Sequence, residues 1–370
     1  MEIKRGRLAT LGLALGMLVP PALAAPAAPT IAPYTHIFLI IEENHTYDQI
    51  IGNKAAPNFN RLAKLYGIAT NFYAERHPSE PNYIAMLGGD TFGIADDDAY
   101  WCKRGQTQAR GCDNVNAKEY VDHTIAARSL MDQLEERHLT WKGYFEDLPG
   151  AGAGDDRWPS PQAPARDKPH SLYAVKHNGF MFFKHVQDDP ARAQKIVGFD
   201  QLERDLLSGA LPNYAHIVPN QCNDMHGLHG ANVPGDCMKS EDDKLIGASD
   251  AHMAALVAKI MGAKFWANQQ ENNAIVVTFD ENDAGRPDSH GDGCCGSLAG
   301  DRNNPGGGWI PTIVISNHGV RSVTDDMPHN HYSLLRTTQE AFGIKEYLGH
   351  AGDEAKGVHS MTKLFAVKTR

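Results

Sequence analysis

Short, continuous apolar runs alternate along this chain with longer segments of helical periodicity. Residues 35–41 and 274–279 are runs of β-branched and apolar side chains, which is typical of strands buried in a parallel sheet. Residues 311–316 predict a third strand of this kind. Residues 140–145 and Tyr214–Val218 predict two more, and Pro219 ends the second of these.

Helical periodicity is clearest in four segments. Residues 58–66, 125–139, 244–266 and 331–342 place apolar residues three and four positions apart, which predicts helices with one buried face. Strands that alternate with helices favour an α/β fold, with helices covering both faces of a mostly parallel sheet. The sequence therefore predicts a three-layer α/β/α sandwich.

The first 33 residues have a different character. Lys4, Arg5 and Arg7 precede an apolar run at 8–19, and Ala-Leu-Ala follows at 22–24. This order is typical of a signal peptide, and the apolar run is too short for a permanent membrane anchor. We therefore expect an exported protein, periplasmic or secreted, without a permanent membrane anchor.

These features predict a simple domain organisation. The signal peptide is expected at 1–24, an Ala/Pro-rich linker at 25–33, and a single domain at 34–370. The composition shifts to Gly, Pro, Asp and Ala after residue 148, which indicates a lid-like insertion at about 148–183.

Charge and cysteine content narrow the function further. The net charge of −10 argues against nucleic acid as a partner, and it means that a phosphate site must supply its own positive charge, most economically as a metal ion. Six cysteines in an exported chain favour disulfides. Cys102–Cys112 and Cys222–Cys237 are the natural short-loop pairs, whereas the adjacent Cys294 and Cys295 pair with each other or elsewhere. A zinc site is the alternative, but no Cys-x-x-Cys spacing is present.

Acidic residues follow two of the predicted buried strands. Glu43 and Asn44 come after the first strand, and Asp280 and Glu281 come after the strand at 274–279. The carboxyl ends of parallel strands meet at one edge of a sheet, so two acidic clusters there would repel each other without a cation. We expect a divalent metal with oxygen ligands, of unspecified identity. Helix capping and a purely structural calcium site are the alternatives.

Ser79 lies in the segment His-Pro-Ser-Glu-Pro-Asn-Tyr, just before a predicted helix start at Pro81. A serine hydroxyl becomes a nucleophile only when a base or a metal promotes loss of its proton. Without other evidence, a turn or a helix cap is the usual role of such a serine. His226, His290 and His331 lie in polar loops, where each is a candidate for proton transfer or phosphate contact.

Four segments together resemble the phosphoesterase family, which joins non-specific phospholipases C with secreted acid phosphatases. Residues 42–48, Glu-Glu-Asn-His-Thr-Tyr-Asp, are similar to the family's Glu-Asn-x-Ser-Phe-Asp motif. Residues 79–82, Ser-Glu-Pro-Asn, are similar to its nucleophile segment. Thr-Phe-Asp-Glu at 278–281 and His-Tyr-Ser-Leu-Leu-Arg-Thr at 331–337 are similar to its acidic pair and its closing helix.

The resemblance implies an alkaline-phosphatase-like fold and a phosphoserine mechanism. It implies Ser79 as the nucleophile, with His226 and His331 as the residues that contact phosphate or protonate the leaving group and His77 as a weaker third. The implied ligands of one divalent metal are Glu43, Asn44, Ser79, Asp280 and Glu281.

Departures from the family pattern bear on the substrate. Asn-Asp-Ala-Gly at 282–285 stands where phospholipases C often carry Gly-Gly, and the chain lacks the long C-terminal extension of the large bacterial phospholipases. Both features favour a broad-specificity acid phosphatase acting on small phosphoesters. A phospholipase C that takes phospholipid head groups is the alternative, with an apolar rim formed by Trp101, Trp158 and residues 180–183. A non-catalytic metal- or phosphate-binding protein is the third hypothesis.

Overall fold

The computed structural model describes residues 1, 31–158, 171–230, 233–283, 293–297 and 305–368. The predicted signal peptide, most of the linker, part of the predicted lid and His290 therefore lie outside the described residues. Residues 31–370 form one compact unit. The exact bounds of the signal peptide, the linker and the lid stay predictions.

The strands of the described residues are β1 (His36–Glu42), β2 (Gly67–Tyr73), β3 (Trp141–Phe145), β4 (Arg157–Trp158), β5 (Tyr173–Ala174), β6 (Ile196–Gly198), β7 (Tyr214–Val218), β8 (Asn273–Phe279), β9 (Trp309–Ser316), β10 (Val323–Asp325) and β11 (His329–Asn330). The helices are α1 (Tyr47–Ile50), α2 (Pro57–Leu65), α3 (Glu80–Gly88), α4 (Leu130–Glu136), α5 (Lys184–Gln187), α6 (Pro190–Ala193), α7 (Phe199–Ser208), α8 (Asp242–Gly262) and α9 (His331–Ala341).

The main sheet has the order β10-β2-β9-β8-β1-β7-β3-β6, and β11 also pairs with β2. Strands β8, β1, β7, β3 and β6 run parallel to one another, whereas β9 is antiparallel to both of its neighbours. Every residue of β8 and all but the first of β1 are buried, as expected for strands covered on both faces. The fold is a three-layer α/β/α sandwich with a mostly parallel sheet, as the sequence predicts.

Most of the predicted elements are present, but one helix begins later than predicted, one strand runs in the opposite direction, and strand β2 lacks the sequence pattern of the others. The helix predicted at 125–139 is wrong in its first part, because the Ser129 side chain and Asp132 form a capping box and the helix begins at Leu130. The predicted strand at 311–316 exists as β9 but is antiparallel. Strand β2 carries Asn and Thr among its apolar residues, so its sequence lacks the continuous apolar run that marks β1 and β8.

The register of the two central strands positions the acidic residues. Glu42 pairs with Phe279 at the end of the β1–β8 ladder, and the Asp280 amide donates to the Glu42 carbonyl at 3.0 Å. Glu43 and Asp280 therefore leave the sheet side by side at its carboxyl edge, which is where ligands bind in open α/β sheets.

Most of the aromatic side chains proposed for an apolar rim belong to the core. Phe180, Phe182 and Phe183 have no exposed surface, and Met181 is also buried. The Phe180 ring stacks on Trp141 with centroids 5.1 Å apart. Trp158 is the one large exposed aromatic side chain of the proposed set, at 40% exposure.

Three disulfides join Cys102 to Cys112, Cys222 to Cys237, and Cys294 to Cys295. Both short-loop pairs predicted from the sequence are formed, and the adjacent cysteines pair with each other. In the part of the chain that the structure describes, no helix combines the length and apolar character needed to cross a membrane.

Gly308 lies beside the acidic edge of the sheet and should not tolerate a side chain. Its φ is +87°, and an added Cβ would lie 2.0 Å from Cγ of Asn282. We expect Gly308→Ala to lower the free energy of unfolding by at least about 2 kcal/mol, from backbone strain together with overpacking. Guanidinium unfolding measures this difference.

Gly52 supplies the control for this substitution. Its φ is +91°, but nothing lies within 4 Å of an added Cβ. Gly52→Ala should therefore show only the backbone cost, about 1 kcal/mol. Equal losses in the two variants would contradict the packing argument.

Candidate active site

Glu43, Asn44 and Asp280 meet at the carboxyl edge of the sheet. Glu43 and Asp280 are fully buried, and Asn44 adopts a left-handed backbone with φ of 53°. The Asn44 amide N–H donates to Asp280 Oδ1 at 3.1 Å. The Asn44 side-chain nitrogen donates to Glu43 Oε2 at 2.6 Å and to Asp280 Oδ1 at 3.3 Å. The three side chains thus converge on one point.

Ser79 is delivered to the same point by the start of α3. It occupies the N-cap position, yet its side chain makes no capping hydrogen bond. Its Oγ lies 3.1 Å from Glu43 Oε2 and 3.1 Å from Glu281 Oε1, so the hydroxyl donates to one of these carboxylates at a time. The structure therefore brings together all of the predicted ligands: Glu43, Asn44, Ser79, Asp280 and Glu281.

The loop that carries Ser79 is fixed by Asn82. Its Oδ1 accepts from the backbone N–H groups of Glu75 and Arg76 at 3.0 and 3.1 Å, and its Nδ2 donates to the Arg76 carbonyl at 2.7 Å. These bonds tie the first turn of α3 to the end of β2. The Ser-x-Pro-Asn pattern thus has a structural reason, because its asparagine satisfies the backbone of the serine loop.

Without a cation, placing these buried carboxylates so close together destabilises their charged forms. Burial raises the pKa of Glu43 well above its usual range, and the charge of Asp280 adds to this effect. Burial and the neighbouring Glu281 likewise raise the pKa of Asp280. Asp280 Oδ2 accepts no hydrogen bond from any described residue. A divalent cation with oxygen ligands fits this donor set, because it would neutralise the buried charges and use the unpaired oxygen.

A second group of side chains lies on the other side of Glu43. Tyr83, one turn after Ser79 on α3, donates to Glu43 Oε1 at 2.5 Å. His177 Nε2 lies 3.3 Å from the same oxygen, and its ring stacks on Tyr83 with centroids 5.4 Å apart. One ligand atom each from Glu43, His177 and His226 lie within 4.8 Å of one another.

Burial lowers the pKa of both imidazoles well below the usual range, and the charge of Lys176 lowers it further. His177 and His226 are therefore neutral at ordinary pH. His226 was a sequence candidate, and the structure places it at the site. Neutral imidazoles suit ligand or acceptor roles rather than proton donation.

Lys176 directly precedes His177 and carries a positive charge. Its Nζ lies 3.0 Å from Asp97 Oδ2, and its side chain is 11% exposed. Burial alone would lower the pKa of Lys176, but the charges of Asp97 and Glu43 raise it overall. Lys176 is therefore a fixed positive charge beside the carboxylates.

The acidic turn at 96–98 contacts both Lys176 and the start of α3, the helix that follows Ser79. Glu80, which follows Ser79, lies 2.6 Å from Nδ1 of the buried His123, and Nε2 of that ring lies 3.1 Å from Asp96. The Glu80 amide also donates to Asp97 Oδ1 at 3.2 Å. The turn thus sets the position of α3 relative to Lys176.

His331 and His77 contact the acidic pair in different ways. His331 is fully buried, and its Nε2 lies 2.7 Å from the Asp280 backbone carbonyl. Burial lowers the pKa of His331 to about 4. His77 pairs with Glu281 through Nδ1 and is 29% exposed. Burial opposes protonation of His77, but the contact with Glu281 raises its pKa overall.

An open cleft of about 390 Å³ adjoins the site on the Asn44 side. Its lining is mainly polar and includes Asn44, His226, Lys239, Asp242 and Asp283. A leaving group of moderate size that can form hydrogen bonds fits this space.

Sequence reasoning missed His177, Asp224, Lys176 and Tyr83. Tyr83 could have been found, because it lies four residues after Ser79 on the same predicted helix and therefore on the same face. His177 and Lys176 lie in the irregular segment after β5, where no periodicity predicts which side chain faces the sheet edge.

Comparison with known proteins gives a consistent result. The model of the phosphoesterase family matches residues 53–345. A phosphatidylinositol-3-phosphatase of Mycobacterium tuberculosis is 28% identical over 89% of this chain and 83% of its own length. A phosphate-repressible acid phosphatase of Penicillium chrysogenum is 27% identical over 78% of this chain, which spans only 54% of the fungal protein.

Among solved structures, a sulfatase of Pseudoalteromonas sp. superposes with a TM-score of 0.51 at 14% identity, covering 90% of this chain and 72% of that chain. A Vibrio parahaemolyticus protein of the alkaline phosphatase superfamily gives a TM-score of 0.49 at 12% identity, over 92% of this chain and 72% of that one. The sulfatase likeness concerns the fold alone.

The buried charge of Asp280 predicts a pH-dependent stability. A carboxyl group whose folded pKa is raised destabilises the fold once the pH exceeds its unfolded pKa of about 4. In chelator, the wild-type protein should therefore lose stability as the pH rises from 5 to 8. The free energy of unfolding of Asp280→Asn should fall less than that of the wild-type protein, by on the order of 1–3 kcal/mol at pH 8. Guanidinium unfolding at the two pH values gives the comparison.

Asp205 provides a matched control. It is also buried, but it accepts hydrogen bonds from Lys142, Tyr144 and Gln201. Asp205→Asn should be less stable than the wild-type protein at pH 8, because the substitution removes a charge that the fold pairs with donors. If Asp280→Asn behaved like Asp205→Asn in chelator, repulsion at the acidic edge would not be the controlling effect.

Proposed function

Because the chain belongs to the phosphoesterase family and is a hydrolase of phosphoric esters, we propose that it is an exported, metal-dependent phosphatase of broad specificity. Its substrates are small phosphomonoesters, which it cleaves through a phosphoserine on Ser79. The observation that carries this proposal is the Ser79 hydroxyl, held 3.1 Å from both Glu43 and Glu281 at the carboxyl edge of the sheet.

Glu43, Asn44, Ser79, Asp280 and Glu281 would hold one divalent ion, which supplies positive charge to the serine alkoxide and the phosphoryl group. Ser79 Oγ forms a bond to phosphorus while the bond to the leaving oxygen breaks. The serine proton passes to a contacting carboxylate, Glu43 or Glu281. Water then attacks the phosphoserine, releasing inorganic phosphate and restoring the Ser79 hydroxyl.

His77 is well placed to return a proton. It is partly exposed and paired with Glu281, and that contact raises its pKa overall against the effect of burial. A protonated His77 can protonate the leaving oxygen, and the neutral imidazole that remains can then take a proton from the attacking water. His331 acts differently, since its ring is buried against the Asp280 carbonyl, so we assign it a positioning role.

Lys176 favours substrates with two negative charges on phosphorus. Asp97 holds the ammonium group, and Lys176 interacts electrostatically with both Glu43 and Glu281. A phosphomonoester carries nearly two charges at neutral pH, whereas a diester carries one. A fixed cation at this position therefore adds more binding energy to the transition state of the monoester.

Hydrolysis of phospholipid diesters is the alternative function. It has less support from the structure, because most side chains proposed for an acyl-binding rim lie in the core. The mycobacterial relative is named for a phosphomonoester on an inositol lipid. That name favours a monoester here too, with an inositol-type head group as one substrate that the polar cleft would accept.

Two observations support the proposed export. The leader has the order of charged, apolar and small residues expected of a signal peptide. All six cysteines are in disulfides, which persist in oxidising compartments.

The first test replaces the nucleophile. Ser79→Ala should lower kcat on p-nitrophenyl phosphate by about 10³-fold or more, because no other group can form the covalent intermediate. Ser79→Thr keeps a hydroxyl and should retain measurable turnover. Wild-type turnover should be lost in chelator and restored by divalent ions. Full activity of Ser79→Ala would overturn the mechanism, and faster turnover of p-nitrophenyl phosphorylcholine would favour the phospholipase C alternative.

A second test concerns charge selectivity. Lys176→Met should lower kcat/KM for p-nitrophenyl phosphate by about 10- to 100-fold, and for bis-p-nitrophenyl phosphate by about threefold or less. Lys184→Met is the control, since Lys184 forms an exposed pair with Asp188. Equal losses on the two substrates would show that Lys176 does not select for charge.

A further inference from the structure

Glu43 presents its two oxygens to two different sets of side chains. Oε2 lies near Ser79 and Asn44, in the oxygen-rich group that would hold the divalent ion of the proposed phosphatase. Oε1 lies near Tyr83 and His177. A carboxylate oxygen has two lone pairs, so Oε1 can accept from Tyr83 and still bind a cation.

The two histidines are oriented as metal ligands commonly are. His226 Nδ1 lies 2.7 Å from the Gly227 carbonyl, so Nδ1 carries the proton and Nε2 keeps its lone pair. His177 Nδ1 lies 3.6 Å from Asp224 Oδ2, and its Nε2 has no hydrogen-bond partner among the described residues. An outer acceptor on one ring nitrogen and a free second nitrogen is the arrangement seen at histidine-ligated metals. His226 has this arrangement, whereas Nδ1 of His177 lies just beyond hydrogen-bond distance of Asp224.

Distances between the ligand atoms suit a small transition-metal ion. Tetrahedral zinc with ligands at about 2.0–2.1 Å places those ligands about 3.3–3.5 Å apart. His177 Nε2 and Glu43 Oε1 are 3.3 Å apart, and the atoms of Glu43, His177 and His226 lie within 4.8 Å of one another. A separation at the upper limit of 4.8 Å would have to shorten by roughly 1.4 Å through side-chain movement. Asp224, fully buried with Oδ2 unpaired, lies beside them.

Both histidines are on loops that are fastened to each other. The Gln221 amide donates to the Leu172 carbonyl at 2.9 Å, and its side chain donates to the Ser171 carbonyl at 2.6 Å. The Cys222–Cys237 disulfide closes the segment that carries His226. These links join the His226 loop to the segment leading into His177, so the two loops are held together before any ligand binds.

We propose that Glu43, His177 and His226 form a second cation site, selective for zinc-like transition metals and bridged through Glu43 to the oxygen-rich site. Imidazole ligands favour such metals, whereas oxygen ligands alone suit calcium or magnesium. The second ion would add positive charge beside the phosphoryl group. This proposal does not depend on the proposed phosphatase activity, because binding is measured without substrate.

The experiment uses cobalt(II) as a spectroscopic probe of a tetrahedral nitrogen site. Chelator-treated protein, saturated first with Mg²⁺, is titrated with Co²⁺, while visible absorption and bound cobalt after dialysis are measured. We expect one cobalt per chain with intense visible bands. His226→Gln and His177→Gln should weaken its binding at least about tenfold, whereas His185→Gln, outside the site, should not.

Two further variants separate this proposal from the catalytic one. Ser79→Ala should keep the cobalt bands, so a failure of the phosphoserine mechanism would leave the metal result intact. Asp280→Asn should also keep the bands but lose the Mg²⁺-dependent rise in Tm. Absence of visible bands in the wild-type protein, or bands that persist unchanged in both histidine variants, would overturn the second site. The histidines would then be left as neutral contacts to phosphate.

Discussion

The structure depends on the burial of several carboxylates at one edge of the sheet. Glu43 and Asp280 end neighbouring parallel strands, and the ladder between those strands fixes their separation. Burial raises the pKa of both groups, and a neighbouring carboxylate raises each further, Asp280 for Glu43 and Glu281 for Asp280. Strand packing does not offset this repulsion, so hydrogen-bond donors and positive charge must come from residues elsewhere in the chain. Ser79, Tyr83 and Lys176 supply donors and charge.

Ser79 and Tyr83 both come from the first turns of helix α3 and its N-cap. Ser79 at its start and Tyr83 one turn later donate to the two oxygens of the same carboxylate, Glu43. A single helix placement therefore positions the Ser79 hydroxyl and fixes the rotation of the carboxylate. Two further contacts fix the position of this helix. Asn82 ties its first turn to the segment after β2, and the Glu80 carboxylate contacts the buried His123. Such redundancy is what precise positioning of a reacting hydroxyl requires.

How far the sequence predicts this site depends on the kind of element that carries each residue. Glu43 and Asp280 directly follow continuous apolar strands, so their meeting at one edge follows from the rule for parallel sheets. His177 lies between short irregular turns, and its position depends on the packing of the segment at 171–183 against α3 and against His216 of β7. No local pattern encodes that packing. The helix predicted at 125–139 began too early for a local reason, the capping box of Ser129.

His331 shows how a residue can belong to a family motif without facing the substrate. Its Nε2 bonds to the Asp280 carbonyl, so the imidazole fixes the backbone that aims a carboxylate. The residues around it extend this control, because Glu75 accepts from the Asn330 side chain and from the Tyr332 amide. The Glu75 backbone in turn is held by Asn82 in the serine loop. The start of α9 thus links the Ser79 loop to the acidic pair, and this link is the basis for the positioning role proposed for His331.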